Sequence, residues 1–107
     1  MGIGEILPEE LSRRLERGER PVVLDVREPG EIAIAVFPGA THIPMGEIPS
    51  RVTELDPDSE TVVVCHHGVR SAQVAMYLVR LGFARVSNLS GGIDLWSATV
   101  DPAVPRY

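Results

Sequence analysis

The chain has 107 residues, 44% hydrophobic and 23% charged, the size and balance of one globular domain spanning residues 1–107; intrinsic disorder and low-complexity architecture are excluded. Fifteen acidic against ten basic residues give a net charge of −5 with no concentrated basic patch, so neither nucleic acid nor an anionic membrane is an expected partner. A single cysteine rules out an internal disulfide, and with only three histidines beside it a closed structural zinc site is not expected.

The first ten residues carry neither a basic segment nor an apolar core of a targeting peptide, and no apolar run approaches membrane-spanning length; a cytoplasmic location is the expectation. Residues 8–18 read as a first helix, with Pro8 in its first turn, Leu11 and Leu15 one turn apart, and Gly18 as the stop. Residues 21–25 form a short apolar strand ending at Asp25. Residues 28–36 predict a brief helix closed by Phe37-Pro38-Gly39, and His42-Ile43 a very short strand ending at Pro44.

Ile48, Val52 and Leu55 share one face of a predicted helix over 48–55, and Asp56-Pro57-Asp58-Ser59 is turn chemistry. The β-branched run Thr61-Val62-Val63-Val64 is the clearest strand. Residues 71–81 then have helix composition, apolar almost all round, so this helix should be well buried, with Gly82 as its cap. Val86 to Leu89 is another short strand, Ser90 to Trp96 a tight turn into a last helix, and residues 101–107 an extended tail. Strands that are continuous apolar runs alternating with helices predict an α/β fold, a mostly parallel sheet of about five short strands with helices on both faces. Ligands bind beyond the strands' carboxyl ends in such sheets, where Asp25 and Cys65 both fall.

Cys65, His66, His67, Gly68, Val69 and Arg70 join a strand's carboxyl end to a helix's amino end. Backbone N–H groups in such a turn and the positive end of the helix favour negative charge. Arg70 adds a permanent cation, and Gly68 lets the backbone turn without an obstructing side chain. A thiol becomes nucleophilic only as its thiolate, which such surroundings favour. Placement alone leaves two readings of Cys65, a reactive nucleophile or an inert buried thiol at a strand end.

The segment Cys65-His66-His67-Gly68-Val69-Arg70-Ser71 resembles the active-site loop of the rhodanese superfamily: a cysteine, four intervening residues, an arginine, then Ser or Thr. Leu24-Asp25-Val26-Arg27 with Glu31 resembles that family's Asp-x-Arg motif. Pro38-Gly39-Ala40-Thr41-His42-Ile43-Pro44 resembles its Pro-Gly-Ala segment, and Gly91-Gly92-Ile93-Asp94-Leu95-Trp96 its closing Gly-Gly-x-x-x-Trp. The four motifs stand in the family's order along nearly the whole chain.

The resemblance implies a rhodanese-like fold and a sulfurtransferase without a cofactor or metal. Cys65 would take a sulfane sulfur from a donor such as thiosulfate or a persulfide, hold it as a persulfide, and pass it to a thiol, cyanide or a sulfur-carrier protein. Loop N–H groups would stabilise the anion, and Arg70 would either add to that potential or brace the loop through a carboxylate. Gly68, Val69 and Ser71 complete the loop. His66 and His67 are either solvent-facing side chains or donors at the pocket mouth. Asp25, at a strand end, would accept loop N–H bonds, with Arg27 as a salt-bridge partner; Trp96 packs in the core.

Two features depart from the family. Ala35-Val36-Phe37 stands where relatives commonly carry Gly-His-Ile, and Arg70 is the loop's only permanent cation. The neutral loop interior predicts weak retention of the thiosulfate dianion, and hence a persulfide donor. Residues 101–107 are similar to the ends of rhodanese domains joined to enzymes that activate ubiquitin-like sulfur carriers, which would make a carrier protein the acceptor; a packed terminus is the plainer reading, and a cysteine desulfurase is a separate candidate partner as persulfide donor. The enzymatic rival is a phosphatase or arsenate reductase, whose related loops place five residues between cysteine and arginine, one more than here. The other rival is a non-catalytic interaction or regulatory module, which the presence of Cys65 disfavours.

Overall fold

The computed structural model of the chain describes residues 3–107. Five strands, β1 (Gly4–Ile6), β2 (Val22–Asp25), β3 (Thr41–His42), β4 (Thr61–Val64) and β5 (Val86–Leu89), form one sheet in the order β1-β5-β4-β2-β3. All four pairings are parallel. The helices are α1 (Pro8–Glu16), α2 (Pro29–Ile34), α3 (Ile48–Arg51), α4 (Val69–Arg80) and α5 (Gly92–Thr99).

The sheet separates two apolar clusters because side chains alternate along each strand. Val62 and Val64 of β4 join Leu11 of α1 and Ile93 and Trp96 of α5. Val63 and Cys65 point the other way, toward Ile48 of α3 and Val74, Ala75 and Leu78 of α4. All four residues of β4 are buried, the consequence of a central strand covered on both faces. Leu24 on β2 is likewise fully buried, so Leu24→Ala would cost about 2–5 kcal/mol in lost burial and cavity.

Every strand runs the same way, so the carboxyl ends share one edge. From β2 the chain goes on to β3 on one side; from β4 it goes on to β5 on the other. The connections therefore diverge between β2 and β4, which opens a crevice where Asp25 and Cys65 stand.

Several local expectations are corrected. β1 was not expected; it is three residues long with only Ile6 buried, too short to show a period. The expected helix over 48–55 is a single α-turn, α3, continued by a 3₁₀ turn at Val52–Glu54. Of the twelve residues of α4, only Ser71, Val74, Ala75 and Leu78 are buried, because one side of the helix faces solvent and leaves Met76 and Val69 exposed. α4 also begins at Val69, two residues earlier than expected, after Gly68 at φ 104°. The tail, by contrast, packs against the domain as its plainer reading has it: the Val104 N–H donates to the Asp101 carbonyl and Val104 is buried, and Tyr107 returns to the loop region.

Candidate functional site

β4 delivers Cys65 to the crevice with 1% of its surface exposed. The chain then reverses through Gly68, whose positive φ a side chain would strain. This turn directs the loop carbonyls outward and its amides inward. The Cys65 and His66 carbonyls accept the N–H groups of Ile93 (2.9 Å) and Asp94 (3.1 Å) at the start of α5. Gly92 makes that approach: at φ 63°, a Cβ there would lie 2.4 Å from the His66 oxygen and 2.5 Å from the Cys65 oxygen. The Gly91-Gly92 pair is thus the backrest of the cysteine loop.

Inside the loop, Cys65 Sγ accepts the Gly68 N–H at 3.1 Å and lies 3.2 Å from the Ser71 hydroxyl. Burial pushes the thiol up, but the Ser71 hydroxyl and the N–H groups of Ser71, Gly68 and His67 outweigh it and hold the pKa below the usual thiol value. A buried sulfur surrounded by donors and favoured as its anion is suited to nucleophilic attack and to holding a second, anionic sulfur.

Arg70 makes its hydrogen bonds to a carboxylate on α2. Its guanidinium binds both carboxylate oxygens of Glu31 on α2, at 2.7 and 2.8 Å. That pair holds the Glu31 carboxyl down to about 2, and Arg70 above its usual value. Glu31 also accepts the Glu28 N–H (3.0 Å), closing the first turn of α2, and the Tyr107 hydroxyl (2.9 Å).

Arg27 is 0% exposed. It binds Asp25 through Nε and Nη2, the shortest contact 2.7 Å, and donates to the Ala35 carbonyl (2.8 Å) and the Tyr107 hydroxyl (3.0 Å). Asp25 also accepts Arg27's own N–H at 3.1 Å. Among the described residues, no hydrogen bond runs from the cysteine loop to Asp25; its carboxylate is saturated by Arg27.

His67 is exposed and His66 is half-buried. His66 lies between the His67 ring and the Tyr107 ring, each 3.8 Å away, and its Nε2 is buried without a partner. Sequence reasoning missed Tyr107, whose hydroxyl joins Arg27 to Glu31 and whose ring covers His66; nothing local to residue 107 signals a contact about eighty positions upstream. His66, His67 and Asp94 bring ligand-type atoms within 4.8 Å of one another. Both Asp94 oxygens are bound by Arg106 at 3.0 and 3.1 Å, so a cation there would have to displace Arg106. Trp96 packs on Phe37 with ring centroids 4.7 Å apart, which makes Phe37, at the departure from the family pattern, a core residue.

Comparison with known proteins agrees with this geometry. The chain is 42% identical over 95 residues to a sulfurtransferase of Allochromatium vinosum, covering 89% of each protein. It is 38% identical over 93 residues to the thiosulfate sulfurtransferase GlpE of Pseudomonas putida, covering 87% of this chain and 84% of that one. A rhodanese-like domain protein from Staphylococcus aureus superposes with a TM-score of 0.85 at 30% identity, over 98% of this chain and 99% of that one. The model of the rhodanese-like domain matches residues 7–99, and this chain belongs to that family.

Proposed function

We propose that the protein is a sulfurtransferase that carries sulfane sulfur on Cys65. The observation that supports this best is the buried Cys65 Sγ, met by the Gly68 N–H and the Ser71 hydroxyl within a loop whose amides face inward. In the first step the Cys65 thiolate attacks the outer sulfur of the donor. The donor's sulfur bond breaks, its electron pair leaves with the donor remnant (sulfite from thiosulfate, a thiolate from a persulfide), and Cys65–S–S⁻ forms. In the second step an acceptor nucleophile, cyanide or a thiol, including a thiol on a sulfur-carrier protein, attacks the outer sulfur, and the electron pair of the S–S bond returns to Cys65. The loop amides stabilise the anion on the outer sulfur.

Arg70 acts here as a brace. Its charge is matched by Glu31, so it adds little net potential at the loop mouth, and α2 and α4 are held together across the crevice. With Arg70 matched, nothing in the loop carries an uncompensated cation to attract a dianion. Persulfide donors are therefore favoured over thiosulfate, although the name of the Pseudomonas relative makes thiosulfate the first comparison.

The test is a transfer assay with thiosulfate, mercaptopyruvate and a cysteine-desulfurase persulfide as donors, comparing wild type with Cys65→Ser. Transfer that needs Cys65 and is faster from the persulfide agrees with the reading. Equal transfer by the two proteins contradicts the mechanism, and a low KM for thiosulfate contradicts the donor preference.

A further inference from the structure

The Ser71 hydroxyl has one proton and two acceptors. Cys65 Sγ is 3.2 Å away and Asn88 Oδ1, on β5, is 2.5 Å away. Both Ser71 and Asn88 are buried, at 0% and 5% exposure, out of reach of bulk solvent as a source of the missing donor. When Cys65 is a thiol its S–H donates to Ser71 Oγ, the Ser71 hydroxyl donates to Asn88, and every group is satisfied. When Cys65 is a thiolate the Ser71 proton must turn to sulfur, which leaves Asn88 Oδ1 facing an oxygen lone pair.

Asn88 could relieve this by rotating its amide so that Nδ2 donates to Ser71. Its surroundings oppose the rotation. Nδ2 donates to the Gly68 carbonyl at 3.1 Å and to both oxygens of Glu5, on β1, at 3.3 Å. Glu5 is itself held by the Ser90 hydroxyl at 2.8 Å. A rotated amide would turn its own oxygen toward a carbonyl and a carboxylate.

We infer that Glu5, exposed on the edge strand, is a positioning residue that acts through Asn88 and Ser71 to set how readily Cys65 becomes a thiolate. The pair Glu5–Asn88 competes with the sulfur for the Ser71 proton. The inference deepens the proposed sulfur transfer and rests on it for its consequence. Once the outer sulfur is in place, Sγ is no longer the anionic atom, and the Ser71 proton returns to Asn88. The relay thus favours the loaded enzyme over the free thiolate, and relaxing it speeds the discharge step, in which the electron pair of the S–S bond returns to Sγ.

The other charged groups at this end of the sheet already have partners. Asp25 pairs with Arg27, Glu31 with Arg70 and Tyr107, and Asp94 with Arg106. His66 and His67 are stacked in the loop, and His42 Nε2 meets the Arg27 carbonyl. Glu5 is the carboxylate on the hydrogen-bonded path to the sulfur.

The experiment is the pH dependence of iodoacetamide alkylation of Cys65, the only cysteine, in wild type, Glu5→Gln, Ser71→Ala and the double variant. Thermal melts confirm that each is folded, and Asn88→Ala, which cuts the relay between Glu5 and Ser71, replaces Ser71→Ala as the second background if that variant fails to fold. Glu5→Gln should lower the apparent pKa of Cys65 by about one unit, the size of one hydrogen bond to a charged group. In the Ser71→Ala background the same change should shift nothing, since the relay is cut. No shift in the single variant, or an equal shift in both backgrounds as simple charge removal would give, overturns the inference. Alkylation reads the thiolate and not sulfur transfer, so either result leaves the proposed function to its own test.

Discussion

Arg70 and Glu31, 39 positions apart in sequence, face each other in a two-point ion pair at 2.7 and 2.8 Å that ties the cysteine loop to α2. The pair is partly exposed, 33% and 20%, so after solvent screening it contributes about 1 kcal/mol. Glu31 titrates near 2 in the folded chain against 4.5 for a free carboxyl. A depressed folded value means the stabilisation is present above the unfolded pKa and is lost as pH falls through the folded one. Glu31→Gln should therefore be less stable than wild type at pH 7, and the gap between their melting temperatures should close between pH 4.5 and pH 2. A gap independent of pH would show that the carboxylate's charge contributes nothing.

The buried pair beneath it is a sharper case. Asp25 and Arg27 are 1% and 0% exposed. Asp25→Ala leaves a guanidinium in the protein interior with its carboxylate removed, and should cost about 3–5 kcal/mol in denaturant unfolding. A loss below about 1 kcal/mol, the scale of an exposed pair, would mean that water reaches Arg27.

Much of this was legible in the residues themselves. The run from Thr61 to Val64 gave a central strand because β-branched residues buried on both faces need no alternation, and Gly68 marked the turn because the backbone there takes φ 104°. What escaped the sequence were contacts between distant positions. Arg27 reads as a salt-bridge partner, but nothing near it in sequence shows that it is enclosed by Asp25, the Ala35 carbonyl and the Tyr107 hydroxyl. The turning of Arg70 to Glu31, and the return of Tyr107 over His66, depend on how α2 and the tail pack. No local pattern encodes that. β1 was missed for the opposite reason, since one buried side chain in three carries no period.

Gly92 offers a test of the loop's geometry that leaves the chemistry groups in place. A methyl at this position would meet the Cys65 and His66 backbone at 2.4–2.6 Å and must push the loop away from α5. Gly92→Ala should lower sulfur transfer by about 10²-fold, the scale of a displacement near 1 Å at a reacting centre, and should slow Cys65 alkylation at pH 7. Unchanged transfer would mean the loop does not depend on its seat against α5.

The central claim is that Cys65 carries the sulfur between donor and acceptor. Intact mass after exposure to a persulfide donor, then after addition of a thiol acceptor, tests it directly. Wild type should gain the mass of one sulfur atom and lose it to the acceptor, while Cys65→Ser gains none. A wild-type protein that never gains the sulfur, or a Cys65→Ser variant that gains it equally, would contradict the account.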